Sequence, residues 1–95
     1  MTTNLSVRVG DLELPYPVIP ASGVWPYAED FWSGEKLDGI GALCTKAISM
    51  EPRGGNGGVR VWETPSGVLN SIGLQNCGAR EFAERYAALV KNCPR

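Results

Sequence analysis

Lys46, Asn70 and the glycines Gly67, Gly73 and Gly78 are the residues of this chain whose types and spacing could do chemistry. The stretch from Trp62 to Gly78 reads W-E-T-P-S-G-V-L-N-S-I-G-L-Q-N-C-G. Two turn-forming clusters bracket the apolar runs Val68-Leu69 and Ile72-Gly73-Leu74. Asn70 stands between those runs, where a plain buried strand would carry another aliphatic residue. Glycine permits positive φ and close backbone approach, and successive N–H groups around a glycine can form an anion-binding concavity. An amide beside such a nest could grip a small planar ligand bearing a carboxylate. The same spacing also fits a hairpin with a satisfied buried Asn, and these residues alone leave both readings open. Lys46 follows the uncharged run Ile40 to Cys44. Burying an ammonium without a partner costs roughly several kcal/mol, so a lysine there either snorkels to water or meets a ligand. The chain has no histidine, so acid–base chemistry falls to Lys, Cys, Tyr or a carboxylate.

The elements that must position these residues fit in 95 residues, enough for one small domain with a core but not for two. The net charge is −1, and Arg53, Arg60, Arg80 and Arg85 are spread out. Neither nucleic acid nor an anionic membrane is expected as the main partner. No apolar run approaches the roughly 20 residues of a membrane span, and M-T-T-N-L-S-V-R-V-G lacks the apolar region of a secretory signal. Cys44, Cys77 and Cys93 are odd in number and widely spaced, which fits reduced thiols in a cytoplasm and no metal site.

In chain order, Leu5 to Val9 and Leu12 to Leu14 alternate around Gly10-Asp11 and predict a hairpin, which Pro15 and Pro17 then close off. The short apolar core of Pro17 to Pro26 reads as a strand buried on both faces. It ends in Ala21-Ser22-Gly23, small residues that leave space where α/β proteins place ligands; an ordinary strand-to-loop exit fits equally. Tyr27 to Leu37 predicts a short helix with Glu29 and Asp30 in its first turn and with Phe31 and Trp32 toward the core. Ile40 to Cys44 reads as a second buried strand. The segment 49–60 holds four glycines in a five-residue window and reads as a mobile loop unless something packs over it. Val59 to Trp62 and Val68-Leu69 pair across Thr64-Pro65-Ser66-Gly67. Ala79 to Asn92 is the clearest helix, with Phe82, Ala83, Tyr86, Leu89 and Val90 at helical spacing and Glu81–Arg85 as an i,i+4 pair.

Strand–helix alternation implies a parallel sheet, and two such strands with helices make a poor complete domain. The expected fold class is therefore α/β, and the chain reads as the opening of something larger.

Four motifs carry a resemblance: P-A-S-G at 20–23, T-K-A at 45–47, E-P-R-G-G-N at 51–56, and E-T-P-S-G-V-L-N-S-I-G-L-Q-N at 63–76. In this order and spacing the chain resembles the N-terminal third of the class 1B dihydroorotate dehydrogenases. The resemblance implies that residues 1–95 form the N-terminal part of a single (β/α)₈ flavin-binding barrel, preceded by a hairpin. Such barrels take about 250 residues. It implies FMN-dependent oxidation of dihydroorotate to orotate in pyrimidine (UMP) biosynthesis, with NAD reduced through an iron–sulfur FAD electron-transfer subunit and with the full-length subunit a homodimer.

Residue by residue, the resemblance puts Ala21 and Ser22 against the flavin. Lys46 would reach both flavin and substrate, with Ala47 on the flavin side. Asn70 would hydrogen-bond the pyrimidine, and the N–H groups of Ser71, Ile72, Gly73 and Leu74 would hold the substrate carboxylate. The base cysteine of the family is expected beyond Arg95, and none of the three cysteines here matches it. The FMN phosphate site of such barrels lies on late strands, so the 95-residue chain by itself is expected to be inactive. Part of the N-S-I-G pattern is shared with dihydropyrimidine dehydrogenase-like flavin enzymes, and a non-catalytic remnant would keep the same motifs by descent.

Overall fold

The alternation around Gly10-Asp11 does form a hairpin in the computed structural model, which describes residues 3–95. Strand β1 (Val7–Val9) pairs antiparallel with β2 (Leu12–Leu14), with Val7 opposite Leu14 and Val9 opposite Leu12. Gly10 takes φ +58° in the turn. The chain divides into two compact units, one running to Lys46 and taking in Tyr86–Arg95, the other spanning Ala47–Arg85.

In the first unit the core consists of Leu14, Trp32 and Leu37, exposed by only 7%, 3% and 1%. An aromatic stack adjoins it: the Tyr27 ring lies 5.8 Å from that of Trp32 and 4.6 Å from that of Tyr86, nearly parallel to each. Trp32 Nε1 donates to the Pro26 carbonyl at 2.8 Å, so its polar edge is satisfied.

The expected helix from Tyr27 to Leu37 is two 3₁₀ turns, Glu29–Phe31 and Gly34–Leu37. Ser33 is extended and Gly34 sits at φ +72°, which an α-helix cannot carry. Lys36 ties the two turns together by pairing with Asp30 and lying 3.8 Å over the Phe31 ring. The hydrogen bond from Lys36 holds the Asp30 carboxyl below its ordinary range.

Neither expected buried strand forms. Val18 and Ile19 are 54% and 42% exposed, and Cys44 is exposed as well. The flanking prolines Pro17 and Pro20 have no N–H to give a ladder. Only one backbone bond joins the two segments, from Gly41 N–H to the Val18 carbonyl at 2.8 Å. Gly41 makes that approach possible, since a Cβ there would fall 1.9 Å from the Tyr16 carbonyl oxygen.

The expected helix from Ala79 to Asn92 is interrupted. Helix α1 (Ala79–Arg85) belongs to the second unit and α2 (Ala87–Lys91) to the first. Tyr86 leaves helical geometry at φ −121°, ψ −17°. No glycine or proline stands at the break. The residue that departs is the one whose ring is stacked on Tyr27, so packing overrides local propensity. The Glu81–Arg85 pair forms at 2.7 Å. Phe82, Tyr86, Leu89 and Val90 are half-buried, whereas Ala83 is exposed. Among the described residues no helix is long and apolar enough to cross a membrane.

In the second unit β3 (Val61–Thr64) and β4 (Gly67–Asn70) form an antiparallel hairpin with Val61 opposite Asn70 and Trp62 opposite Leu69. Nearly all its side chains are exposed, including Val61, Trp62, Val68 and Leu69. Order in this unit comes from polar ties rather than from a core. Arg53 and Asn76 exchange both backbone hydrogen bonds at 3.0 Å, and Ala79 N–H reaches the Met50 carbonyl at 3.3 Å.

Candidate functional site

Ala21, Ser22 and Lys46 lie in the first unit, and Ala47 with Asn70, Ser71, Ile72, Gly73 and Leu74 lies in the second. Each group is built by its own unit.

In the first unit Ala21, Ser22 and Gly23 turn the chain, with Val24 N–H bonded to the Ala21 carbonyl at 3.1 Å and Gly23 at φ +84°. Ser22 Oγ donates to the Thr45 carbonyl at 2.8 Å, so the small-residue turn is tied to the residue before Lys46. Lys46 is half-buried, and its N–H donates to the Tyr27 hydroxyl at 2.9 Å. The aromatic stack thus fixes the backbone from which the ammonium projects. Among the described residues that ammonium has no hydrogen-bond or ion-pair partner. Small exposed side chains beside a held, unpaired cation suit the edge of a flat ring that gains negative charge.

The second unit holds the loop after β4. Asn70 is exposed, and its side-chain amide has no hydrogen bond among the described residues. The buried, satisfied hairpin Asn is therefore not what forms. From Ser71 to Leu74 every carbonyl is taken by the unit's own donors. Asn56 Nδ2 reaches Ser71 O at 3.2 Å, Asn56 N–H reaches Ile72 O at 2.9 Å, and Arg53 Nε reaches Gly73 O at 3.4 Å. Asn76 Nδ2 completes the set on Leu74 O at 2.7 Å. The N–H groups divide differently. Ser71 N–H is committed to the Arg60 carbonyl at 2.7 Å, while those of Ile72, Gly73 and Leu74 donate to nothing among the described residues. The free donors of this loop are those of Ile72, Gly73 and Leu74.

Gly73 at φ +82° and Leu74 at φ +56° put two successive residues in the left-handed region. For a leucine that conformation costs about 1 kcal/mol or more, and it persists only where the surroundings impose it. Two guanidinium groups also lie against the loop. Arg60 donates to Asn56 O at 2.6 Å, Gly54 O at 2.8 Å and Gln75 Oε1 at 3.1 Å, and Arg53 sits on Gly73 O. Neither has a carboxylate partner among the described residues, so their charge favours an anion nearby.

Sequence reasoning missed Asn56, Arg60 and Asn76 as organisers, and Tyr27 as the anchor of Lys46. The glycine segment 49–60, read as mobile unless something packs over it, is held by Asn56 and Arg60. The signal available was an Asn amid the glycines and an Arg just after them, side chains able to cap carbonyls that glycine leaves bare.

Over residues 4–95 the chain matches the family model described as dihydroorotate dehydrogenase. It is 42% identical over 92 residues to the dihydroorotate dehydrogenase B (NAD(+)) catalytic subunit of Trichlorobacter lovleyi, an alignment covering 97% of this chain and 30% of the relative. The protein of the same name from Desulforamulus reducens is 43% identical over 91 residues, covering 96% and 30%. That of Geobacter metallireducens is 44% identical over 88 residues, covering 93% and 29%. The chain thus spans about three tenths of the length of these curated relatives.

Proposed function

Because the chain belongs to the dihydroorotate dehydrogenase family, we propose that it supplies the first part of a (β/α)₈ barrel that oxidises dihydroorotate to orotate with FMN, in the synthesis of pyrimidines. The observation that carries this reading is the loop after β4, where all carbonyls are tied back and the N–H groups of Ile72, Gly73 and Leu74 are left to donate. Three successive free donors beside two guanidinium groups that have no carboxylate partner among the described residues suit a carboxylate on a small ring.

In this reading those three N–H groups hold the substrate carboxylate, and the Asn70 amide, a donor and an acceptor, pairs with the polar edge of the pyrimidine. Ala21, Ser22 and Ala47 line the flavin. Lys46 offers its ammonium to the flavin edge where negative charge develops, and to the substrate. FMN, when bound, supplies the two-electron acceptor for the hydrogen removed from dihydroorotate. The base that takes the proton and the grip on the FMN phosphate come from parts of the enzyme outside these residues. The names of the relatives, NAD(+) and catalytic subunit, support an electron-transfer partner, which we propose carries FAD and an iron–sulfur centre and serves a homodimer of catalytic subunits in the cytoplasm.

Anaerobic mixing of the full-length protein with dihydroorotate or dihydrouracil tests the reading. Bleaching of the flavin by dihydroorotate is expected. Bleaching by dihydrouracil alone would favour a pyrimidine-base reductase, and bleaching by neither a non-catalytic remnant. Asn70→Ala is expected to weaken orotate binding about tenfold, since a lost hydrogen-bonding pair on a desolvated ring costs on the order of 1–3 kcal/mol. FMN content should stay near that of the unsubstituted protein, and an unchanged orotate titration would remove Asn70 from the site.

A further inference from the structure

Asn76 makes more polar contacts than any site residue, yet it lies outside the set read as touching substrate or flavin. Its Oδ1 accepts from Gly78 N–H at 2.8 Å and from Ser49 N–H at 3.2 Å. Its Nδ2 donates to Leu74 O at 2.7 Å and to Ser49 Oγ at 3.0 Å. Ser49 Oγ gives its own hydrogen to Glu51 O at 2.6 Å, which leaves the hydroxyl as an acceptor toward Asn76 and fixes which way the amide points. The backbone of Asn76 is locked too, by the double bond with Arg53.

One side chain therefore joins three segments of the second unit: the residue after Ala47-Ile48, the start of α1, and the carbonyl of Leu74. That carbonyl belongs to the non-glycine residue with positive φ, the C-terminal member of the free-donor trio. A leucine left to itself would leave φ +56°. Rotating it back would turn the peptide planes on both sides, and the plane before it carries the Leu74 N–H.

We propose that Asn76 is a positioning residue for substrate binding, its Nδ2 holding Leu74 left-handed so that the Leu74 N–H is set in place beside those of Ile72 and Gly73 before the substrate arrives. The inference rests on the reading of that trio as the carboxylate site, and deepens it by naming what preorganises it. Without the clamp the loop samples other conformations, and binding must select the competent one, which lowers the apparent affinity by its population. The carboxylate is held in the ground state and the transition state alike, so the loss falls on KM and leaves kcat nearly unchanged.

Asn76→Asp keeps the oxygen that accepts from Ser49 and Gly78 while replacing the donor to Leu74 O and Ser49 Oγ with a second acceptor, and Ser49→Ala separates those two bonds. In the full-length holoenzyme, orotate affinity is expected to fall by about tenfold, with KM for dihydroorotate rising by a similar factor and kcat within about twofold of the parent. FMN content and Tm should match the parent. Ser49→Ala, which spares the bond to Leu74, is expected to lose less affinity than Asn76→Asp. Unchanged orotate affinity in Asn76→Asp overturns the proposal, as does a loss in Ser49→Ala as large as its own. If Asn76→Asp does not fold, Asn76→Ser takes its place with the same expected and overturning results, since its hydroxyl is too short to reach Leu74. Failure of the parent itself to bind orotate would instead overturn the carboxylate-site reading beneath.

Discussion

Lys46→Ala is expected to slow reduction of the flavin by dihydroorotate roughly 10²-fold in the full-length enzyme, the usual cost of removing one preorganised charge-stabilising group, and to weaken orotate binding. The structure gives this a physical basis beyond the position in a motif. The backbone of Lys46 is pinned through Tyr27 to a stack that includes the buried Trp32, so the ammonium starts from a fixed point. Its charge is not used within the described residues. A half-buried cation without a partner is costly to keep, and a ligand that develops negative charge would repay it. A lysine merely solvated at the surface would give a change within about 0.5 kcal/mol on substitution. Stopped-flow reduction at the parent rate, with parent orotate affinity, would show Lys46 to be such a residue.

Gly73→Ala is expected to be as severe, but through shape. A Cβ on Gly73 would lie 2.5 Å from the Asn56 amide carbon and oxygen and 2.7 Å from the Asn56 backbone nitrogen. That nitrogen donates to Ile72 O, and the Asn56 side chain donates to Ser71 O and Oγ. The methyl group cannot enter without dislodging the residue that ties down the front of the loop. Alanine is also strained at φ +82°. Overpacking costs about 1–3 kcal/mol, which the unliganded loop can escape by moving and the liganded loop cannot. Orotate affinity should therefore fall by roughly 10- to 100-fold, while Tm changes little because the unit has no tight core to disrupt. Orotate titration and thermal unfolding on the same preparation check this; parent affinity would mean that Asn56 yields at no cost.

How far the sequence could be read differs between the two units for a physical reason. Hairpins were legible because alternation and turn chemistry are local: Gly10-Asp11 and Thr64 to Gly67 turn where expected. The segments around Val18 and Ile40 read as strands because apolar β-branched runs look alike whether or not neighbours give them a ladder. With Pro17 and Pro20 withholding donors, a single bond to Gly41 forms instead. Helical periodicity over 79–92 was real, but nothing local announced that Tyr86 would leave the helix where its ring meets Tyr27. In the candidate site, Lys46 and Asn70 stood out as polar residues in apolar company. Asn56, Arg60, Asn76 and Tyr27 did not, because side-chain ties to carbonyl or N–H groups 15 or more residues away leave no spacing to read.

The central claim is that the three unengaged N–H groups after β4 receive the substrate carboxylate. Residue-resolved amide exchange of the full-length holoenzyme, with and without saturating orotate, tests it most directly. Ser71 N–H, already bonded to Arg60 O at 2.7 Å, should exchange slowly in both states. The amides of Ile72, Gly73 and Leu74 should exchange readily in the free enzyme and become protected together when orotate binds. Orotate bound with those three amides as exposed as before would contradict the account.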